Sequence, residues 1–319
     1  MTHPVPRLLT AALASILLVS AASAAFAQTA AATAPAAAPP PEPVRPIRAS
    51  KIILVGDSTT QGGSGWGGRF CSDHVVSFVA CINLARGGRS TSNYRAEGSW
   101  DIALAEMAST IPSGTRAYVD TYVLIQFGHN DQPGKPGRST DLATEFPQNL
   151  RRYVAEARER GAIPVLVTPL TRRQFVDGKL DNDLEPWAAA VRAVAAETHT
   201  PLLDLNADSS AAVQAMGPSL AAGFAQSPPS PIVAAALLTG TTIAANMGMP
   251  VPAAPAAAGP SPSSAPAPAQ NNAAVEPMGD AKLSFDYTHL GPTGATFFAT
   301  MVTRELAIAV PALRRSLIN

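Results

Sequence analysis

Five short apolar runs, each followed by a segment of helical spacing, constrain this chain more than any other feature. They fall at 51 to 55 (KIILV), 81 to 85 (CINLA), 121 to 127 (TYVLIQF), 163 to 167 (IPVLV) and 202 to 205 (LLDL), and each has the length of a buried strand. The clearest intervening helix is marked by Leu142, Phe146, Leu150, Val154 and Ala157, which recur every three to four residues and stop at Gly161 as a C-terminal cap. Strand followed by helix, repeated, requires parallel strands joined by right-handed crossovers. The predicted class is therefore α/β, a three-layer α/β/α sandwich around a five-stranded parallel sheet.

The two places where this pattern fails define the domain organisation. At the N-terminus Arg7 precedes an apolar run from Leu8 to Val19, and Ala25, Phe26 and Ala27 form a small-residue cleavage site. That is a secretory signal peptide over 1 to 27, with its apolar run shorter than a membrane span needs, so no transmembrane anchor is expected after cleavage. Residues 28 to 50 are almost all Ala and Pro and read as a flexible leader. The folded domain is expected over 51 to 319, interrupted by an insertion at about 218 to 280. Within that insertion SPSSAPAPAQNNAA cannot pack a core, whereas IVAAALLTGTTIAANMGM at 232 to 249 is apolar and reads as local helix or surface packing rather than a membrane span. Lengthening a flexible loop from roughly 10 to 60 residues costs only about 1.6 kcal/mol, which a domain of this size tolerates.

Lys plus Arg equals Asp plus Glu at 23 each, so no basic field advertises nucleic acid or anionic lipid as a partner. The two cysteines, Cys71 and Cys81, lie close together, and export favours a disulfide between them over free thiols. No second Cys or His pair stands at ligand spacing to complete a metal site with them.

The first strand ends in Gly56, Asp57, Ser58 and Thr59, which places a serine hydroxyl at the carboxyl edge of the sheet, where open α/β sheets bind ligands. A serine nucleophile needs a base, and the base needs a partner that holds its tautomer. Asp286 and His289, three residues apart in DYTHLGPTG before a helical segment at 293 to 309, supply both. The oxyanion of a tetrahedral intermediate needs donors. The backbone N–H of Ser58, the backbone N–H of Gly88 in LARGGRS and the side-chain amide of Asn130 in FGHND all lie at strand ends on one rim.

These four blocks, GDST, LARGGRS, FGHND and DYTHL, resemble those of the SGNH hydrolase superfamily. GGRSTSNYRAEGSW, QFGHND, VTPLTRRQF and DYTHLGPTGA further resemble the rhamnogalacturonan acetylesterases, which deacetylate pectic polysaccharide. The likeness runs from about Lys51 to Gly217 and from about Phe285 to Pro311. It implies a flavodoxin-like fold, Ser58 as nucleophile, His289 and Asp286 as base and orienter, and Ser58, Gly88 and Asn130 as the oxyanion hole. It also implies no metal and no cofactor. The expected protein is an exported monomer, periplasmic or extracellular, acting on an acetylated polysaccharide or oligosaccharide. A lysophospholipase, thioesterase or arylesterase would use the same triad, and a carbohydrate-binding module would keep the fold without turnover.

Arg89 and Glu97 follow the second block and either fix its loop or meet a sugar hydroxyl or uronate. His129 is expected to be structural, with its side chain directed away from that of Asn130. Gly63, Gly65 and Gly68 match G-x-G-x-x-G but do not follow the strand directly, so dinucleotide binding is rejected. His74 and His199 have no ligand-spaced partners and read as surface or satisfied core residues.

Overall fold

The computed structural model describes residues 49–110, 114–248 and 284–318. The segments expected to be a signal peptide over 1 to 27 and a leader up to residue 48, and the low-complexity stretch at 261–274, lie outside the described residues. Five parallel strands form the sheet: β1 (Lys51–Gly56), β2 (Ala80–Asn83), β3 (Thr121–Gln126), β4 (Ile163–Val167) and, after a small hairpin, β7 (Leu202–Leu203). The hairpin itself pairs β5 (Phe175–Val176) with β6 (Lys179–Leu180) antiparallel, a feature absent from the sequence reading. Ala49 and Ser50, which composition assigns to the leader, already accept the amides of Val119 and Ala80, so sheet hydrogen bonding begins two residues early.

Strand order is β2-β1-β3-β4-β7, so the direction of progression reverses between β1 and β3. That reversal opens a crevice at the carboxyl ends of these two strands, the place where such sheets seat ligands. All residues of β1 and β3 are buried, because helices cover both faces. Alternate side chains serve separate cores, as the two-residue period of a strand requires. Ile52, Leu54 and Val165 pack against Trp66, Phe70, Phe298 and Val302 on one side, with α1 (Gly67–Arg69), the π-helical turn Phe70–His74, α6 (Leu205–Ala222) and α8 (Pro292–Ala309). Ile53, Val55 and Ile125 pack against Trp100, Phe146, Tyr153 and Trp187 on the other, with α3 (Ser99–Met107), α4 (Glu145–Glu159) and α5 (Glu185–Glu197). The short α2 (Asn93–Ala96) belongs to the loop after β2.

The first half of the interval expected to be an insertion from 218 is helical in part, in keeping with the local helix or surface packing expected over 232 to 249. The span α6 is two helices meeting at a kink, where Gly217 takes a non-helical conformation with a positive φ of 73° that favours glycine, and Pro218 opens the second, which runs to Ala222. A further helix, α7 (Pro231–Leu237), is started by Ser230, whose side chain accepts the Val233 amide. Val233 and Leu237 then form a small core with Ala222, Phe285 and Tyr287. The apolar stretch after 231 therefore packs beneath the chain that carries Asp286 and His289. No helix among the described residues is long and apolar enough to cross a membrane. Cys71 and Cys81 form a disulfide that ties the π-helical turn to edge strand β2.

Candidate active site

The turn after β1 is held by local chemistry. A side chain at Gly56 would place its Cβ 2.6 Å from the Gln126 carbonyl oxygen, so only glycine lets β1 approach β3 here. Asp57 then accepts the Thr59 amide and hydroxyl, each at 2.8 Å, and its carbonyl accepts the amides of Thr60 and Gln61. Ser58 is thereby presented at the crevice, 9% exposed.

On the opposite wall Asp286 folds its own turn. Its Oδ1 accepts the amides of Thr288 and His289, both at 2.7 Å, and its Oδ2 accepts His289 Nδ1 at 2.8 Å. An ionised carboxylate only accepts, so Nδ1 carries the proton and Nε2 presents a lone pair. That Nε2 lies 3.0 Å from Ser58 Oγ, although 231 residues separate the two in sequence. Burial works against the ionisation of Asp286, but the hydrogen bonds and charge of His289 and the two amides outweigh it and lower the carboxyl to about 2. It stays charged throughout the neutral range and can stabilise an imidazolium.

Gly88 and Asn130 come to the same rim. Gly88 has φ of 75°, a left-handed conformation that favours glycine. Asn130 is buried, and its amide donates to the Arg89 carbonyl at 3.1 Å, which fixes the orientation of its second N–H. Arg89 and Glu97 are not at the surface: both side chains are 0% exposed and paired at 3.0 Å. Glu97 also accepts from Arg86 and Ser99, so the pair ties the Gly88 loop to the start of α3. Of the two readings of these residues, burial leaves loop fixation.

His129, expected to be structural, lies with its ring 3.4 Å from Asp57 Oδ2, both buried and without a hydrogen bond between them, and this contact is the first of three features that the amino-acid pattern does not signal. Burial pushes the His129 imidazole below its ordinary value despite the attraction of Asp57, so it is neutral at physiological pH. Beside them the Asp131 carboxyl is pushed up to about 7 by burial, with the Thr91 and Thr140 hydrogen bonds opposing.

Arg173 is the third. Only 1% exposed, it grips four consecutive carbonyls of the base loop: its backbone amide donates to Tyr287, Nη1 to Thr288, and Nη2 to both Asp286 and His289, at 2.8 to 3.2 Å. An Arg-Arg doublet after a strand gives no signal that one member is buried, so pattern alone could not find it. Gln126 was more legible, as a polar residue closing a buried strand. Its Oε1 accepts from Thr60 and Trp66 and its Nε2 donates to Thr168, so it braces the turn from behind.

A doubly wound sheet of this order, with Ser58, His289 and Asp286 in hydrogen-bonded series beside Gly88 and Asn130, defines an SGNH hydrolase. The chain belongs to the GDSL-like lipase/acylhydrolase family, whose model matches residues 54–227. Among its relatives, the probable rhamnogalacturonan acetylesterase YesY of Bacillus subtilis (strain 168) is 36% identical over 157 residues, covering 49% of this chain and 66% of that protein. The rhamnogalacturonan acetylesterase RhgT of the same organism is 36% identical over 179 residues, covering 53% of this chain and 70% of that one. The matched stretch thus spans about two thirds of these relatives' own length. The crystal structure of protein YxiM from Bacillus subtilis shares the fold at 20% identity, with a TM-score of 0.54 over 83% of this chain and 58% of that one.

Proposed function

We propose that the protein is an exported carbohydrate esterase that removes O-acetyl groups from a pectic, rhamnogalacturonan-like polysaccharide through an acyl-enzyme on Ser58. The observation that carries this reading is the relay from Asp286 to His289 to Ser58, at 2.8 and 3.0 Å. Both acetylesterase relatives support the acetyl group and the substrate class. The charged and apolar pattern of residues 1 to 27 and the disulfide support export.

In the first half-reaction Ser58 Oγ forms a bond to the acetyl carbonyl carbon while His289 Nε2 takes its proton. The carbonyl π electrons move to oxygen, and the resulting oxyanion is met by the Ser58 and Gly88 N–H groups and the Asn130 amide. Collapse breaks the bond to the sugar oxygen, which leaves with the proton from His289. Water then repeats the sequence on the acetyl-serine and releases acetate. Asp286 remains an anion throughout and holds the ring in one tautomer.

Ser58→Ala is expected to abolish release of nitrophenol from 4-nitrophenyl acetate while leaving the unfolding midpoint near the wild-type value. Retained turnover in that variant refutes the acyl-enzyme. A rate that falls steeply from acetate to octanoate esters supports deacetylation, and a rise would assign the site to lipid substrates. Acetate release compared across acetylated pectin, xylan and peptidoglycan identifies the polymer.

A further inference from the structure

The loop after Ser58 contains two glycines that the fold does not require. Gly65 is different, since its Cβ would lie 2.1 Å from Thr59 backbone atoms. Among the described residues a Cβ at Gly63 would meet nothing within 4 Å, and one at Gly62 only the Gly68 Cα at 4.0 Å. Neither residue has a positive φ. At such positions a side chain would restrict the unfolded chain and stabilise the protein, so folding alone does not call for glycine there. Both residues line a cavity of about 390 Å³, and their missing side chains leave it open.

The two loops that carry the reacting groups also wall this cavity. Gly62 and Gly63 follow Ser58 on one side, and Leu290 and Gly291 follow His289 on the other. The loops are joined there: Leu290 N–H donates to the Ser64 carbonyl at 2.8 Å, and Ser64 Oγ donates to the Ser58 carbonyl at 2.7 Å. Gln226 closes the rim by donating its amide to the Gly63 carbonyl at 3.0 Å. Arg69 stands on the far wall, half exposed, with Asp73 at 3.3 Å. A wall of Leu290, Pro292 and Ala295 facing polar backbone and a guanidinium matches a pyranose ring, which has an apolar C–H face and a rim of hydroxyl groups.

We propose that this cavity is a subsite for a sugar residue of the substrate chain next to the acetylated one, an inference that rests on the carbohydrate esterase reading above. The subsite supplies binding to a glycan chain and contributes nothing to hydrolysis of a small acetate ester.

Gly63→Trp fills the cavity and tests the proposal. Steady-state kinetics are compared on 4-nitrophenyl acetate and on an acetylated oligosaccharide of the polymer that wild type deacetylates. The expected result is nitrophenyl acetate turnover within about twofold of wild type, with kcat/KM on the oligosaccharide reduced at least about tenfold, chiefly through KM. An unchanged oligosaccharide kcat/KM overturns the subsite alone. Wild type that cleaves nitrophenyl acetate but no acetylated glycan overturns the carbohydrate reading and the subsite with it. If Gly63→Trp loses both activities through misfolding, Arg69→Ala on the exposed far wall decides: a raised oligosaccharide KM at constant nitrophenyl acetate rate supports the subsite, and no difference between the two substrates overturns it.

Discussion

Arg173→Met removes the donors that grip the Asp286 to His289 turn while keeping a side chain of similar length. Three side-chain hydrogen bonds are lost, to Thr288, Asp286 and His289 carbonyls at 3.2, 2.9 and 2.8 Å. Hydrogen bonds to a charged donor contribute roughly 1.5 to 3 kcal/mol each, or about 4.5 to 9 in total. Against this stands the burial of the cation, which pulls the guanidinium from 12.5 to about 10 despite the opposing charge of Asp286. At 1.36 kcal/mol per pH unit that penalty is on the order of 3 kcal/mol, and the variant escapes it. The net loss of stability is about 3 kcal/mol, read as a lowered urea midpoint at unchanged m-value. The backbone amide of residue 173 still holds the Tyr287 carbonyl, so the loop shifts rather than detaches. A displacement of about 1 Å between His289 and Ser58 lowers kcat on nitrophenyl acetate about 10²-fold. KM should stay within about twofold, because Arg173 reaches backbone carbonyls and not the substrate. Arg173→Lys, with one ammonium in place of the fork, should recover part of the rate. Wild-type kcat in Arg173→Met, or a rise in KM at constant kcat, refutes the positioning role.

Asn130→Ala removes one oxyanion donor and should lower kcat by about 10² to 10³ with little change in KM, and a change below threefold would exclude Asn130 from the oxyanion hole. Glu305 on α8 has both carboxyl oxygens buried without a partner among the described residues, and burial, with Asp208 and Asp204 nearby, pushes it up to about 8. The folded state therefore holds a proton that the unfolded chain releases above its ordinary 4.5, and this residue's contribution to stability falls as pH rises from 4.5 to 8. Glu305→Gln should flatten that slope, gaining on the order of 5 kcal/mol at about pH 8.5 and nearly nothing at about pH 4.5, and equal gains at both refute the burial argument. The Cys71–Cys81 bridge closes a loop of sequence separation 10, for which chain entropy gives about 2.7 kcal/mol. The Cys71→Ser, Cys81→Ser double variant should lose that much stability and keep its kcat, since the bridge joins the π-helical turn to β2 and not to the rim.

What could be read from the chain followed from how local each signal is. Strand-length runs such as KIILV and TYVLIQF and the spacing of Leu142 through Ala157 report the faces that must be buried, and so establish five strands, their helices and a parallel sheet. Ser58, Gly88, Asn130 and Asp286 with His289 stand at element ends, where the chain leaves the core and polar side chains need a purpose. Pairing across the molecule left no such trace. The order β2-β1-β3-β4-β7 is a matter of which strands pair across the sheet, and it sets Ser58 beside Asn130 at the reversal point. Composition after Pro218 suggested an interruption, because its Ala-rich apolar residues have no period of their own, yet Val233 and Leu237 find their partners in Phe285 and Tyr287 about fifty residues on. Arg173 looks like any surface cation until the fold surrounds it with four carbonyls. The layers and the identity of each reacting group could be read from the chain, since each is carried by a short local block such as GDST, FGHND or DYTHL. Tertiary structure alone decided the 3.0 Å approach of His289 to Ser58, the burial of Arg89 with Glu97 and the cavity beside Gly63, since each arises from surfaces that meet only after folding.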